Sequence, residues 1–429
     1  MKYISLIEYD KIGKEISFSN KEALLDFQHA VNETNSVWKN RLGLSRDPFY
    51  LNITNDEKLS FFVRGVTGFI NINDFSFEIK PKFLDLDSTE DWKVALTNLL
   101  FLQENPLKYK SNMVQSKVVN KKIPDLLANR FLSELEKALL LGLPKGYVFK
   151  EEAVPFYKGT YNIHKAIDHL TVPHLIPCKF DDYVEDILIN QIIKLAGLEL
   201  SRLVKDSTLS FKLEEKVNLI SAHTQIPSLF EIERSTLPLQ FGYLETLFDL
   251  SKLVLTNNSI MFSEGKFKNS GFLWNTHVIF EDFIKTLISL VCKKNKNFSF
   301  TDKELRLYTL ANNIATKSRK KGSTSPDIRV FDSASLRWLL DAKYKNWENG
   351  PKIEDVYQIS TGAQLTKIEK ASLIYPKGPN TPDEQVFYNL NTISSPNFFT
   401  CIFIDLLKLA EPRGLDLLVE NLESDLLIQ

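Results

Sequence analysis

The apolar positions change period several times along the chain, and each change marks an element. Residues 61–72 and 75–79 alternate apolar with polar around Asn73-Asp74, which predicts a β-hairpin with one apolar face, stopped at Pro81. Lys80 and Lys82 are expected at the exposed end of that ladder. Residues 125–143 turn helical, with Gly142 at a helix end; 147–161 are extended and turn-rich; 183–203 and 237–256 are helical again. Asn257, Asn258, Ser263, Gly265, Asn269 and Gly271 then break the pattern and place a domain boundary. Residues 274–291 predict an amphipathic helix whose stripe is Phe280, Phe283, Ile284, Leu287, Ile288 and Val291, with Glu281 at its edge. Finally 325–331 and 339–345 are read as two strands joined by a small polar turn at 332–335.

These elements predict a mixed α+β protein in three parts: a β-rich region over 1–150, a mainly helical connection over 151–265 and an α/β domain over 266–429. Length and composition agree, since 429 residues with 43% hydrophobic and 25% charged side chains suffice for several cores. The net charge of −1 means that any contact with nucleic acid must be a local patch. Cys178, Cys292 and Cys401 have neither metal-ligand nor disulfide spacing, and neither a signal peptide nor a bilayer-length apolar run is seen, so a reducing cytoplasm is expected. His164, His169 and His174, five apart with Pro173 among them, do not share a helix face and are not read as a metal site.

The chemistry concentrates on the last strand pair. Side chains alternate across a strand, so Asp341 and Lys343 emerge on one face and Ala342 on the other. One carboxylate from each strand, Asp327 and Asp341, with the backbone carbonyl of Ala342, makes a donor set for Mg²⁺, which prefers hard oxygens and keeps several waters. Lys343 then stands where an ammonium assists attack of water on phosphorus. Such a motif also arises by chance in solvated turns; the apolar Leu339-Leu340 leading into the charges argues for a site. Lys317, Arg319, Lys320 and Lys321 precede Asp327 and are candidates for DNA phosphates or for a solvated loop.

Pro326-Asp327 followed by Asp341-Ala342-Lys343 resembles the signature of the PD-(D/E)xK restriction-endonuclease-like fold, which implies that Glu281 is a further metal ligand, direct or through water. Along most of the chain the order of motifs resembles the McrC family, the nuclease subunit of McrBC-type restriction systems. Leu6-Ile7-Glu8-Tyr9 resembles its opening strand, and Gly65 with Glu78-Ile79-Lys80-Pro81-Lys82 its glycine-led strand pair. Residues 131–143 with Tyr147, the strand at Lys158-Gly159-Thr160-Tyr161-Asn162-Ile163, and Asp186 with Asn190 follow. Phe280-Glu281-Asp282-Phe283, Asp355-Val356-Tyr357-Gln358 and Tyr375-Pro376 complete the series. Lys158, Asn275 to Val278 and Gly362 depart from the family, which usually has Arg, a Met-Asn pair and Tyr there.

The resemblance implies an Mg²⁺-dependent endonuclease acting on double-stranded DNA, with Asp327, Asp341 and Lys343 as its core and Gln358 behind Lys343 or on DNA. It also implies that the N-terminal part docks on a hexamer of an McrB-like AAA+ GTPase and stimulates it. No glycine-rich phosphate loop occurs in these 429 residues, which fits an outside energy source. The competing readings are a regulatory subunit that has lost cleavage, for which the intact Asp327, Asp341 and Lys343 are against, and a stand-alone nuclease of the RecB type.

Overall fold

The computed structural model describes residues 2–55, 57–84, 91–104, 122–165, 167, 171–172, 174–222, 227–257, 269–295, 297–303, 305–306, 323–324, 327–333, 335–347, 350–368, 370–378, 380–390 and 398–428. Two compact units emerge, one of Met1–Ile123 with Ser259–Gln429 and one of Pro124–Asn258. This differs from the three-part expectation, because the chain returns after residue 259 to finish a sheet begun at its start.

In the first unit, β1 (Lys2–Ile7) and β2 (Lys14–Ser17) precede α1 (Lys21–Arg41), then β3 (Phe49–Asn55), β4 (Lys58–Val63), β5 (Val66–Ile72), β6 (Phe75–Lys80) and α2 (Asp91–Glu104). The Asn20 side chain caps α1 by accepting from the Ala23 N–H at 2.8 Å. Helix α1 buries Leu24, Phe27, Val31 and Trp38 against the aromatic core of Phe49, Phe61, Phe75 and Phe77. The expected hairpin is β5–β6, turning at Asn73 in the left-handed region (φ 49°). Residues 58–63 lie outside it, in a separate sheet of order β2-β4-β3, because the chain turns at Gly65 (φ 69°).

Nor does the hairpin have a single apolar face. Opposite Phe77 and Ile79, Glu78 is also buried, its carboxylate 3.0 Å from the Lys93 ammonium of α2. Lys80 and Lys82 are not at an exposed edge either: Lys80 is buried, and Lys82 lies over the rings of Tyr9, Phe83 and Tyr344 at 4.6, 4.7 and 5.0 Å. A helix laid over the polar face of the hairpin is what reverses the expectation.

The second unit begins with most of α3 (Ile123–Leu141) and holds β7 (Gly146–Val154), β8 (Thr160–Tyr161) and β9 (Ile176–Val184) in a sheet of order β7-β9-β8. Helices α4 (Leu188–Leu203), α5 (Ser207–Asn218), α6 (Leu229–Arg234) and α7 (Glu245–Asn257) follow, α4 packing on both α5 and α7. Residues 183–184 close β9 rather than start a helix. Asn190, fully buried, donates to the carbonyls of Pro144 at 2.9 Å and Glu185 at 2.6 Å and so ties α4 to the strand ends.

Back in the first unit, β10 (Asn269–Asn275) pairs antiparallel with β5 and completes the sheet β1-β6-β5-β10. The approach is close: a Cβ on Gly68 would stand 2.1 Å from the Phe272 carbonyl, and one on Gly271 2.3 Å from that of Phe69. Helix α8 (Thr276–Lys294) therefore starts later than residue 274, where Asn275 accepts from the N–H groups of His277 and Val278 at 3.1 and 3.4 Å. Its stripe of Phe280, Phe283, Ile284, Leu287, Ile288 and Val291 is buried as expected.

The remaining elements are β11 (Phe298–Thr301), the short pair β12 (Leu305–Arg306) and β13 (Ser323–Thr324), β14 (Ile328–Asp332), β15 (Ser335–Ala342), α9 (Ile353–Thr366), β16 (Ala371–Pro376), β17 (Val386–Asn389), β18 (Phe398–Ile404) and α10 (Gly414–Ile428). They form a six-stranded mixed sheet of order β11-β14-β15-β16-β18-β17, in which β15, β16 and β18 run parallel. The β14–β15 hairpin turns at Ser333 (φ 58°) within the expected polar segment. Leu339, Leu373, Cys401 and the α9 residues Ile359 and Ala363 share one core. Trp338, on the other face of β15, donates from its indole to the Leu426 carbonyl of α10 at 3.0 Å. The chain is thus a mixed α/β protein of several sheets. Among the described residues no helix is long and apolar enough to cross a membrane.

Candidate functional site

Strand β15 is interior to the six-stranded sheet, so its residues are dry on both faces until the ladder ends. Asp341 is its penultimate residue and is fully buried, opposite Leu373 of β16. Asp327 stands just before β14 and accepts from the Ala342 N–H at 2.7 Å through Oδ2. The two carboxylates come together there as expected. Burial raises both pKa values; the Asp341 charge and then Glu281 push Asp327 up further, while Lys343 only partly offsets the rise at Asp341. Neither oxygen of Asp341 has a hydrogen bond of ordinary geometry. A buried anion left in that state is costly.

Lys343 lies on the same face. Its ammonium is 2.7 Å from Asp341 Oδ2 and donates to Gln358 Oε1 at 2.9 Å. Gln358 sits one turn into α9, behind the lysine. One residue was missed as a site member although it stood in the same motif: Asp355, three positions before Gln358 and so on the same helix face. It is buried, pairs with the Lys345 ammonium at 2.5 Å, and its charge adds to the rise at Asp341. The i, i+3 spacing of Asp355 and Gln358 was the signal available.

Tyr344, between the two lysines, turns to the other side. It is buried, and its hydroxyl donates to Glu8 Oε2 at 2.8 Å. Glu8 also accepts from the Thr276 hydroxyl at 2.5 Å, and burial pushes its carboxyl up to about 7 against these hydrogen bonds and Lys82. No local pattern could have revealed a partner 336 positions away.

Glu281 on α8 is engaged with Lys285 at 2.7 Å and reaches Asp327 through its charge. Lys317, Arg319, Lys320 and Lys321, and also Pro326, lie outside the described residues. Lys294, at the end of α8, is 2.6 Å from Glu423. Among the described residues no three His, Cys, Asp or Glu side chains are grouped as a metal cage. The donor set is therefore two carboxylates, Asp327 and Asp341, with the Ala342 carbonyl. That suits Mg²⁺, which is commonly held by one or two carboxylates and its own waters, and a cation there would answer the unbonded oxygens of Asp341.

A model of the family described as "McrBC 5-methylcytosine restriction system component" matches residues 63–376. A chain of the refined half-complex from the tetradecameric assembly of Thermococcus gammatolerans McrB AAA+ hexamers with bound McrC has the same fold, with a TM-score of 0.65 at 16% identity over 98% of this chain and 100% of that chain. A chain of the cryo-EM structure of the Thermococcus gammatolerans McrBC complex is matched over 68% of this chain and 88% of that chain, at a TM-score of 0.47 and 17% identity. No curated protein matches.

Proposed function

Because the chain belongs to the family of McrBC 5-methylcytosine restriction system components, we propose that it is an McrC-like endonuclease subunit. It cleaves double-stranded DNA by phosphodiester hydrolysis and stimulates an McrB-like AAA+ GTPase hexamer in the cytoplasm. The observation that carries the reading is the buried Asp341 beside Asp327, with the Lys343 ammonium 2.7 Å from Asp341 Oδ2. The C-terminal six-stranded sheet is then a PD-(D/E)xK nuclease sheet.

Asp327, Asp341 and the Ala342 carbonyl would hold Mg²⁺, with Glu281 as an outer carboxylate. The metal, when bound, supplies a Lewis acid that draws charge from the scissile phosphate. Lys343 orients the attacking water and stabilises charge on the phosphate. Gln358 fixes the lysine's rotamer at 2.9 Å, and Asp355 holds Lys345 away from the carboxylates. Packing on the Leu339 face keeps bulk water from the buried end of the site.

The partner supplies GTP hydrolysis and target recognition, and docking belongs to the first 150 residues. At the end of that span Tyr147 and Phe149, on β7 of the second unit, are exposed on one strand face. The decisive experiment mixes the protein with its AAA+ partner, GTP, Mg²⁺ and DNA, comparing wild type with Asp341→Ala and Lys343→Ala. Loss of cutting with GTPase stimulation retained supports the reading. Cutting at the wild-type rate by both variants would refute it.

A further inference from the structure

A polar cavity opens in the first unit, away in sequence from the aspartates. It has a volume of about 490 Å³ and is lined by Tyr9, Ser45, Arg46, Arg64, Asn275 and His277, with Leu44 and the glycines at 43 and 65. That is within the range of pockets that take a small-molecule-sized unit, about 300–1,000 Å³. No carboxylate lines its wall. The neighbouring acids are committed elsewhere: Asp47 pairs with Lys39 at 3.0 Å, and Glu8 accepts from Thr276 and Tyr344.

The cations, by contrast, are available. Arg64 is braced, its Nε donating to the Asp47 carbonyl at 2.7 Å and its guanidinium lying 5.0 Å over the Tyr50 ring, and its terminal nitrogens have no partner among the described residues. Arg46 lines the cavity, is exposed, and makes no hydrogen bond or ion pair among the described residues. Two guanidiniums, each with a planar fork of donors, are matched to phosphate oxygens. Tyr9, a non-glycine residue held at φ 59°, brings its hydroxyl to 3.3 Å from His277 Nε2. Backbone held in that sparsely populated region clusters at ligand sites. Burial, with Lys82 and Lys345 nearby, keeps the His277 imidazole below its usual range, so it serves as a neutral hydrogen-bonding group. The α8 N-terminus contributes little, since Asn275 already takes the His277 and Val278 N–H groups.

We propose that this cavity binds a phosphate group of the DNA strand, with Arg46 and Arg64 as its clamp. The inference rests on the proposed DNA-cleaving function. The His277 ring packs 5.2 Å from that of Tyr344, the residue after Lys343. Tyr344 turns away from Lys343 toward Glu8, so a phosphate held here is gripped on the side of the strand away from the aspartates. The same phosphate chemistry could come from a nucleotide, and the test separates the two.

Binding of a short fluorescent DNA duplex to the full-length protein is measured over a salt series, beside binding of fluorescent GTP. Arg46→Gln and Arg64→Gln should each weaken DNA binding about tenfold and lower the salt slope by about one, as expected for a lost phosphate contact. Arg46→Lys should retain most of the binding. Arg46 has no partner to lose, so its replacement leaves the fold alone. Unchanged DNA affinity in both Gln variants overturns the proposal, as does loss of GTP binding with DNA binding kept. Cleavage by wild type with its partner is assayed in parallel. If wild type does not cut, the nuclease reading fails; if it cuts while the Gln variants bind as wild type, only the clamp fails.

Discussion

Two buried carboxylates in the first unit face opposite fates. Glu8, at the end of the N-terminal sheet, is 1% exposed and accepts hydrogen bonds from Thr276 and Tyr344, with the Lys82 ammonium near. Asp341, in the six-stranded sheet, is 0% exposed and has the Lys343 ammonium 2.7 Å from one oxygen and the Asp327 carboxyl beside it. Both are raised by burial. Burial alone therefore does not mark a site. What separates them is saturation: Glu8 has donors on both oxygens and is closed, whereas Asp341 still has acceptor capacity pointing at Asp327. Tyr344 and Lys343, adjacent in sequence, serve one carboxylate each.

The contrast is broken most sharply at Asp341. Asp341→Asn should reduce cleavage by at least about a thousandfold, since metal-assisted charge stabilisation is worth several kcal/mol. Chelation of Mg²⁺ should do the same, while thermal melting of the metal-free variant equals or exceeds wild type, because a poorly compensated buried charge is removed. A drop in melting temperature with cleavage intact would make Asp341 structural.

A third buried carboxylate, Glu78, sits with Lys93 at 3.0 Å and belongs with Glu8. Lys93→Met should cost roughly 3–5 kcal/mol in denaturant unfolding, the range for leaving one buried ion unpaired. Glu8 tests the comparison through pH. Its carboxyl lies at about 7 against an ordinary 4.5, so between those values the folded protein holds a proton that the unfolded chain does not. The Glu8 contribution to stability is therefore complete below 4.5 and is lost as pH rises through about 7, by on the order of 3 kcal/mol. Glu8→Gln should remove that slope, and a wild-type slope persisting in the variant would assign it to other groups. The smallest effect is at Gln358: Gln358→Ala should lower cleavage about 10-fold through a mispositioned Lys343, as for supporting residues generally, with DNA affinity unchanged.

Much of the hairpin that carries Asp327 and Asp341 was legible because everything it needs is local. Alternation placed Asp341 and Lys343 on one face, the polar turn at 332–335 joined the strands, and the α8 stripe from Phe280 to Val291 is buried as its spacing required. What failed was non-local. Phe272, Leu273 and Trp274 are buried on both faces of β10, so no alternation distinguished strand from helix. Lys80 and Lys82 looked like an edge because nothing nearby announces α2 or Tyr344. The pairing of Glu281 with Lys285, one helical turn away, was open to its i, i+4 spacing, and its charge still reaches Asp327.

The pairing of β5 with β10 also has a consequence for the order in which the molecule is made. During synthesis the N-terminal sheet has β1, β6 and β5 in hand long before its fourth strand exists. At ribosomal speeds of about 5–20 residues per second, the span between residues 72 and 275 keeps β5 waiting roughly ten to forty seconds with an open edge. In that interval Pro124–Asn258 can complete its own contacts. A newborn chain therefore depends on whatever shields that edge, and a ribosomal pause placed just before residue 269 would lengthen the period of greatest risk.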